Sequence, residues 1–135
     1  MTEFEAPLVD WSVLDSTRSR LGGAFMRIYG YFQNDADSAV SAVEAAMRAK
    51  NGAAMIDPAA ALRSAAEQLG AQRLADLAED IEMHARSCVE TMLVPDDYVD
   101  RVAALRPLLT ETLAVMDAEV SPLIHRPAQF GRKAD

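Results

Sequence analysis

Apolar side chains recur every three or four positions along most of this chain, and nowhere does the period-two alternation of a half-buried strand persist. Helices are expected throughout, and a sequence rich in alanine, leucine and glutamate agrees. A first helix is predicted over roughly 8–21, started near Pro7 and stopped by Gly22-Gly23, with Val13, Leu14 and Leu21 apolar. A second, over about 24–33, carries Phe25, Ile28, Tyr29 and Phe32. The string "QNDAD" then offers Asp35 or Asp37 as the cap of a third, over roughly 37–50, whose stripe is Val40, Val43 and Met47.

The segment "AAALRSAAEQLGA", residues 59–71, reads as a fourth helix. Ala59, Leu62, Ala66 and Leu69 form its buried seam; Ala60, Arg63, Ser64 and Glu67 lie opposite, with Ala60 exposed, and Gly70 closes the helix. A fifth, over roughly 72–93, turns Leu74, Leu77, Ile81, Cys88 and Met92 inward. After Pro95-Asp96-Asp97 a last region carries Val102, Leu105, Leu109, Leu113 and Met116 inward, and Pro107 should kink or split it. Short connections between amphipathic helices predict an all-α fold, an up-down four-helix bundle with an N-terminal helix across one end.

A length of 135 residues suits one domain, expected over 1–120. The remainder, "SPLIHRPAQFGRKAD" (121–135), gathers Arg126, Arg132 and Lys133 among prolines and a glycine and is expected to be a mobile tail. A net charge of −8 opposes binding to nucleic acid or anionic lipid, so neither is an expected partner. No apolar run approaches the roughly 20 residues of a membrane span, and "MTEFEAPLVDW" lacks the basic start and apolar centre of a secretory signal. The single cysteine, Cys88, suits a reducing cytoplasm, the expected compartment.

Candidate chemistry is sparse. His84 and Cys88 stand four apart on the fifth helix, but two ligands are too few for zinc, so no metal and no cofactor are expected. His84 reads better as a partly buried structural histidine, and His125 lies in the tail. Glu79, Asp80 and Glu82 read as a solvated face. There is no Gly-x-Ser-x-Gly elbow, P-loop or Gly-x-Gly-x-x-Gly, and the chain is not expected to be an enzyme.

One pattern runs without a gap across these helices. Leu62, Arg63 and Ser64 are followed by Leu69-Gly70, then by Leu74, Leu77, Ile81 and Glu82. Upstream, "VLDSTRSRLGG" ends a helix on glycines and "YFQNDADSAVSAVEAAM" joins two helical segments. Over roughly 9–93 the sequence resembles the histidine phosphotransfer (HPt) domains of two-component phosphorelays, whose motif is a His-x-Leu-Lys-Gly helix, a Leu-Gly turn and a leucine-rich helix.

At the place of the phosphorylated histidine stands Ala60, and a methyl group cannot accept a phosphoryl group. Arg63 keeps a cation where the family has lysine, and Ser64 replaces a glycine that admits the partner's backbone. Pro58, two residues before Ala60, is a further departure; with Asp57 as cap it could start or restart the helix there. The resemblance implies a pseudo-phosphotransfer module whose low-relief face of Ala60, Arg63, Ser64, Glu67 and Gly70 docks a response-regulator receiver or a sensor histidine kinase. Two alternatives stay open: phosphotransfer through His84 assisted by Arg86, or a structural or dimerising bundle anchored by Trp11, Phe4 or Phe130.

Overall fold

The computed structural model describes residues 6–120, and every regular element in them is helical. Asp10 opens α1 (Trp11–Leu21): its Oδ1 accepts from the backbone amides of Ser12 and Val13 at 3.1 and 3.4 Å, satisfying donors that a first turn leaves without partners. A single 3₁₀ turn, Gly22–Ala24, then leads into α2 (Phe25–Arg48). The break predicted at "QNDAD" does not form, and neither Asp35 nor Asp37 caps a helix. The buried stripe Phe25, Tyr29, Phe32, Ala36, Val40, Val43 and Met47 keeps its spacing of three or four straight through that string. Asn34, Asp35 and Asp37 point to solvent, where asparagine and aspartate cost only about 0.7 kcal/mol each in a helix. Burial of Phe32, Ala36 and Val40 along the stripe outweighs that cost.

Asn51 caps α3 (Gly52–Leu69) by accepting from the amide of Ala54 at 3.1 Å. The helix therefore starts well before Asp57, and Pro58 lies inside it rather than at its first position. The same holds for Pro107, which neither ends nor splits α5 (Val99–Val120). In both cases the carbonyl robbed of its partner, on Ala54 or Ala103, belongs to an exposed residue where water can replace the lost bond. Meanwhile Met55, Ala59, Leu105 and Leu109, flanking the two prolines, are buried and hold each helix to its neighbours.

Between them, α4 (Gln72–Thr91) ends where Met92 turns left-handed at φ 58°. That residue, expected inward, is 91% exposed, because the chain leaves the helical path just before its side chain would reach the core. A second 3₁₀ turn, Asp96–Tyr98, leads into α5. The four long helices pack in chain order as a ring, α2 on α3, α3 on α4, α4 on α5 and α5 back on α2. Three residues join α2 to α3 and two join α3 to α4, so these neighbours run antiparallel. The fold is an all-α helical bundle with one continuous core, to which Leu77, Leu113 and Leu21 contribute as partly buried members. Arg106 ties α5 to α2 through Asp37 at 2.7 Å, Glu44 at 3.0 Å and Ser41 at 2.9 Å.

α1 rests on the α3–α4 turn. Gly70 adopts φ 79° and its carbonyl accepts from the Asp10 amide at 2.7 Å, while the Thr17 hydroxyl donates to the Gln68 carbonyl at 2.7 Å. The left-handed turn that ends α3 is thus also the seat of the N-terminal helix.

Candidate docking face

Six inward residues of α3, Gly52, Met55, Ala59, Leu62, Ala66 and Leu69, fix which residues face out. Ala53, Asp57, Ala61, Ser64 and Gln68 are exposed at spacings of three and four, and no side chain from Ala53 to Ser64 along that strip is longer than aspartate. Ala60, expected to be exposed, is half-buried: it lies toward α4 on the shoulder of the strip. Ser64 and Glu67 are exposed as predicted. Gly70 is buried under α1, so it shapes the end of the face and offers no contact surface itself. The structure thus groups Ala60, Ser64 and Glu67 on one surface and removes Gly70 from it.

Arg63 is committed rather than free. Its Nε donates to Glu82 Oε1 on α4 at 2.9 Å, and its Nη1 pairs with Glu67 at 3.6 Å. Glu82 also accepts from Arg86 Nη2 at 2.9 Å, so one carboxylate bridges two guanidinium groups from two helices. The residue is only 6% exposed, which corrects its assignment to a solvated acidic face. Asp80 is likewise engaged, accepting from the Tyr98 hydroxyl at 3.0 Å and pairing with Arg101. Of the three acids, Glu79 is the one that is exposed. Burial pulls the Glu82 carboxyl upward, but the hydrogen bonds from Arg86 and Arg63 outweigh it and hold the group below its ordinary value. The Arg63 guanidinium is pushed up, first by its bond to Glu82.

A carboxyl held below its unfolded value adds stability that is present above about pH 4.5 and is lost as acid protonates it. Glu82→Gln is therefore expected to lower stability near neutral pH by about 1–2 kcal/mol, the exposed arm of Arg86 being screened by solvent. The variant and the parent should converge as acid protonates the carboxyl in the folded state. Urea midpoints across that range check this, and parallel curves would show that the bridge contributes nothing.

Two hollows border the strip near its Gln68 end. An open groove of about 460 Å³ lies between α1 and α3, lined by Ser12, Ser16, Thr17, Arg20, Glu67 and Gln68. A smaller cleft of about 100 Å³ against α2 is lined by Tyr31, Asp35 and Ala65 among others. Sequence reasoning missed the part α1 plays here, because nothing in "SVLDSTRSR" says which helix it will lie beside.

His84 is half-buried, as expected of a structural histidine: its ring stacks on Tyr98 with centroids 3.6 Å apart and planes at 3°. Its Nε2 lies 3.4 Å from Cys88 Sγ, and burial, then Asp97, pushes that thiol up. Arg86, the base that a phosphotransfer role for His84 would borrow, is bound to Glu82. Among the described residues, no three His, Cys, Asp or Glu side chains converge as metal ligands, and no helix is long and apolar enough to cross a membrane. Trp11 is 40% exposed on α1, whereas Phe4, His125 and Phe130 lie outside the described residues. Comparison with family models, with curated proteins and with solved structures returns no match to this chain.

Proposed function

We propose that this chain is a pseudo-phosphotransfer module of two-component signalling, which docks a response-regulator receiver domain or a sensor histidine kinase through the outer strip of α3 without accepting a phosphoryl group at position 60. The observation that carries the reading is the strip itself. Where the HPt pattern asks for an imidazole there is a methyl group, yet the exposed residues of the strip beside it, Ala53, Asp57, Ala61 and Ser64, keep the surface in low relief. The Arg63–Glu82–Arg86 bridge ties α3 to α4 on the flank of that strip. A pre-set surface needs less ordering on binding, which favours a docking role over a flexible one.

Phosphotransfer of the HPt kind uses an imidazole as nucleophile, and α3 holds no histidine. The chain is expected to bind a receiver domain from its own organism measurably by calorimetry while taking up no label when that receiver is phosphorylated. Label that appears and disappears with His84→Ala would transfer the chemistry to α4 and overturn the reading. Ala60→His, at a half-buried shoulder, is expected to leave the fold intact at a cost of under about 1 kcal/mol. Thermal unfolding checks that, and a collapse of the transition would mean that α4 has closed the space an imidazole requires.

A further inference from the structure

Away from the outer strip of α3, the end of the bundle where α4 passes into α5 carries an exposed apolar surface. Val89 is 46% exposed, Met92 91%, Leu93 67%, Val94 54% and Val99 52%. They are held in place: the Leu93 amide donates to the Cys88 carbonyl at 2.9 Å, and the Cys88 thiol donates to the Val94 carbonyl at 3.7 Å. Together they present on the order of 500 Å² of apolar surface, the size at which the largest patch of a subunit is often a site of contact.

Met92 adds an independent observation. It closes α4 at φ 58°, a left-handed conformation that glycine adopts freely and that a residue with a Cβ adopts only at a cost. The chain places a large apolar side chain at this strained position and holds nearly all of it in water. At that exposure the side chain gains almost nothing from its own bundle in return, whereas burial against a partner would offset both costs.

The rim selects the partner. Exposed acids, Glu90, Asp96, Asp97 and Asp100, share this end with exposed bases, Lys50, Arg86 and Arg101. Lys50 pairs with Asp96, Arg86 with Glu82 and Arg101 with Asp80, yet both arginine side chains stay more than half exposed. A uniformly basic or uniformly acidic partner would meet like charges here, and an anionic lipid surface would meet the four carboxylates. A second copy of the chain brings both signs. A two-fold axis through the surface sets apolar centre on apolar centre and lets the acids of each rim meet the bases of the other. The area agrees: each side of a stable interface buries about 800 Å², of which the apolar centre supplies more than half and the rim the remainder.

We infer that the chain forms an isologous dimer through Val89, Met92, Leu93, Val94 and Val99. The surface lies at the Gly52 end of α3, where the backbone of α3 meets Cys88 and Val89, and the inference does not rest on the docking reading.

Sedimentation equilibrium on the full chain tests it, with a dissociation constant expected on the order of micromolar. Met92→Glu with Leu93→Glu should raise that constant more than about tenfold. Met26→Glu, at an exposed methionine near the start of α2 and so at the far end of the bundle, should leave it unchanged. Met92→Gly should also weaken the dimer, while the urea midpoint of the diluted monomer stays level or rises. Three results overturn the inference: a chain still monomeric at about 500 μM, a dimer that tolerates the Met92 and Leu93 charges or is equally sensitive to Met26→Glu, or a Met92→Gly monomer that loses stability, since the side chain would then serve its own bundle.

Discussion

Gly70→Ala is expected to release α1 from the bundle. Gly70 sits at φ 79°, a left-handed conformation that costs a residue with a Cβ about 1–2 kcal/mol. Space is the second obstacle: a Cβ there would lie 2.6 Å from the Asp10 carbonyl oxygen and 3.2 Å from the Leu14 amide, so the backbone of α1 itself must move. That displacement breaks the 2.7 Å bond from the Asp10 amide to the Gly70 carbonyl and strains the Thr17–Gln68 bond beside it. The loss should exceed about 2 kcal/mol in denaturant unfolding, with amide protection falling first along α1. Gly70→Asn discriminates between the two causes. Asparagine accepts the left-handed backbone but carries the same Cβ, so it should recover little, and full recovery would show that the contact with α1 has slack.

Ser64→Arg is expected to abolish receiver docking and leave stability alone. The position is exposed on the outer strip, and surface substitutions of this kind usually change stability by under about 0.5 kcal/mol. At the centre of a docked interface, however, a guanidinium in place of a small hydroxyl separates the two surfaces and must be desolvated without a partner. Affinity should fall more than about tenfold, equivalent to about 1.4 kcal/mol. Thr110→Arg on α5 brings the same charge change away from the strip and should be neutral. Charge reversal at Arg63 is a poorer probe than the sequence suggested. It would set a third carboxylate against Glu82 and Glu67 and loosen α3 from α4 before it reported on any partner.

The seam of α3 was legible because its periodicity is regular: Ala59, Leu62, Ala66 and Leu69 are all buried, and Gly70 ends the helix as its residue type demands. The errors lie where a local signal met a long-range contact. "QNDAD" carries three capping residues, and packing on either side of Ala36 overrode them. Pro58 and Pro107 are strong punctuation, but each faces its lost hydrogen bond toward water. Met92 continued the inward period of α4 by count alone, and the left-handed turn came first. In the candidate site the residue types were right and the pairing was hidden. Nothing in the string says that Arg63 and Glu82, 19 positions apart, will meet across α3 and α4 at 2.9 Å, or that Glu82 will be buried when they do. The groove beside α1 was invisible for the same reason.

The claim at the centre of this account is that the α3 surface binds a partner although its acceptor position holds alanine. The most direct measurement is an NMR titration of the isotopically labelled chain with receiver domains from its own organism, following the α3 amides from Ala53 to Gly70. Shifts are expected to concentrate at Asp57, Ala60, Ala61, Ser64 and Glu67, with Met55 and Leu62 on the buried side moving least. Silence along α3 with every receiver and with the sensor kinases would contradict it, leaving a helical bundle with no docking role on that face.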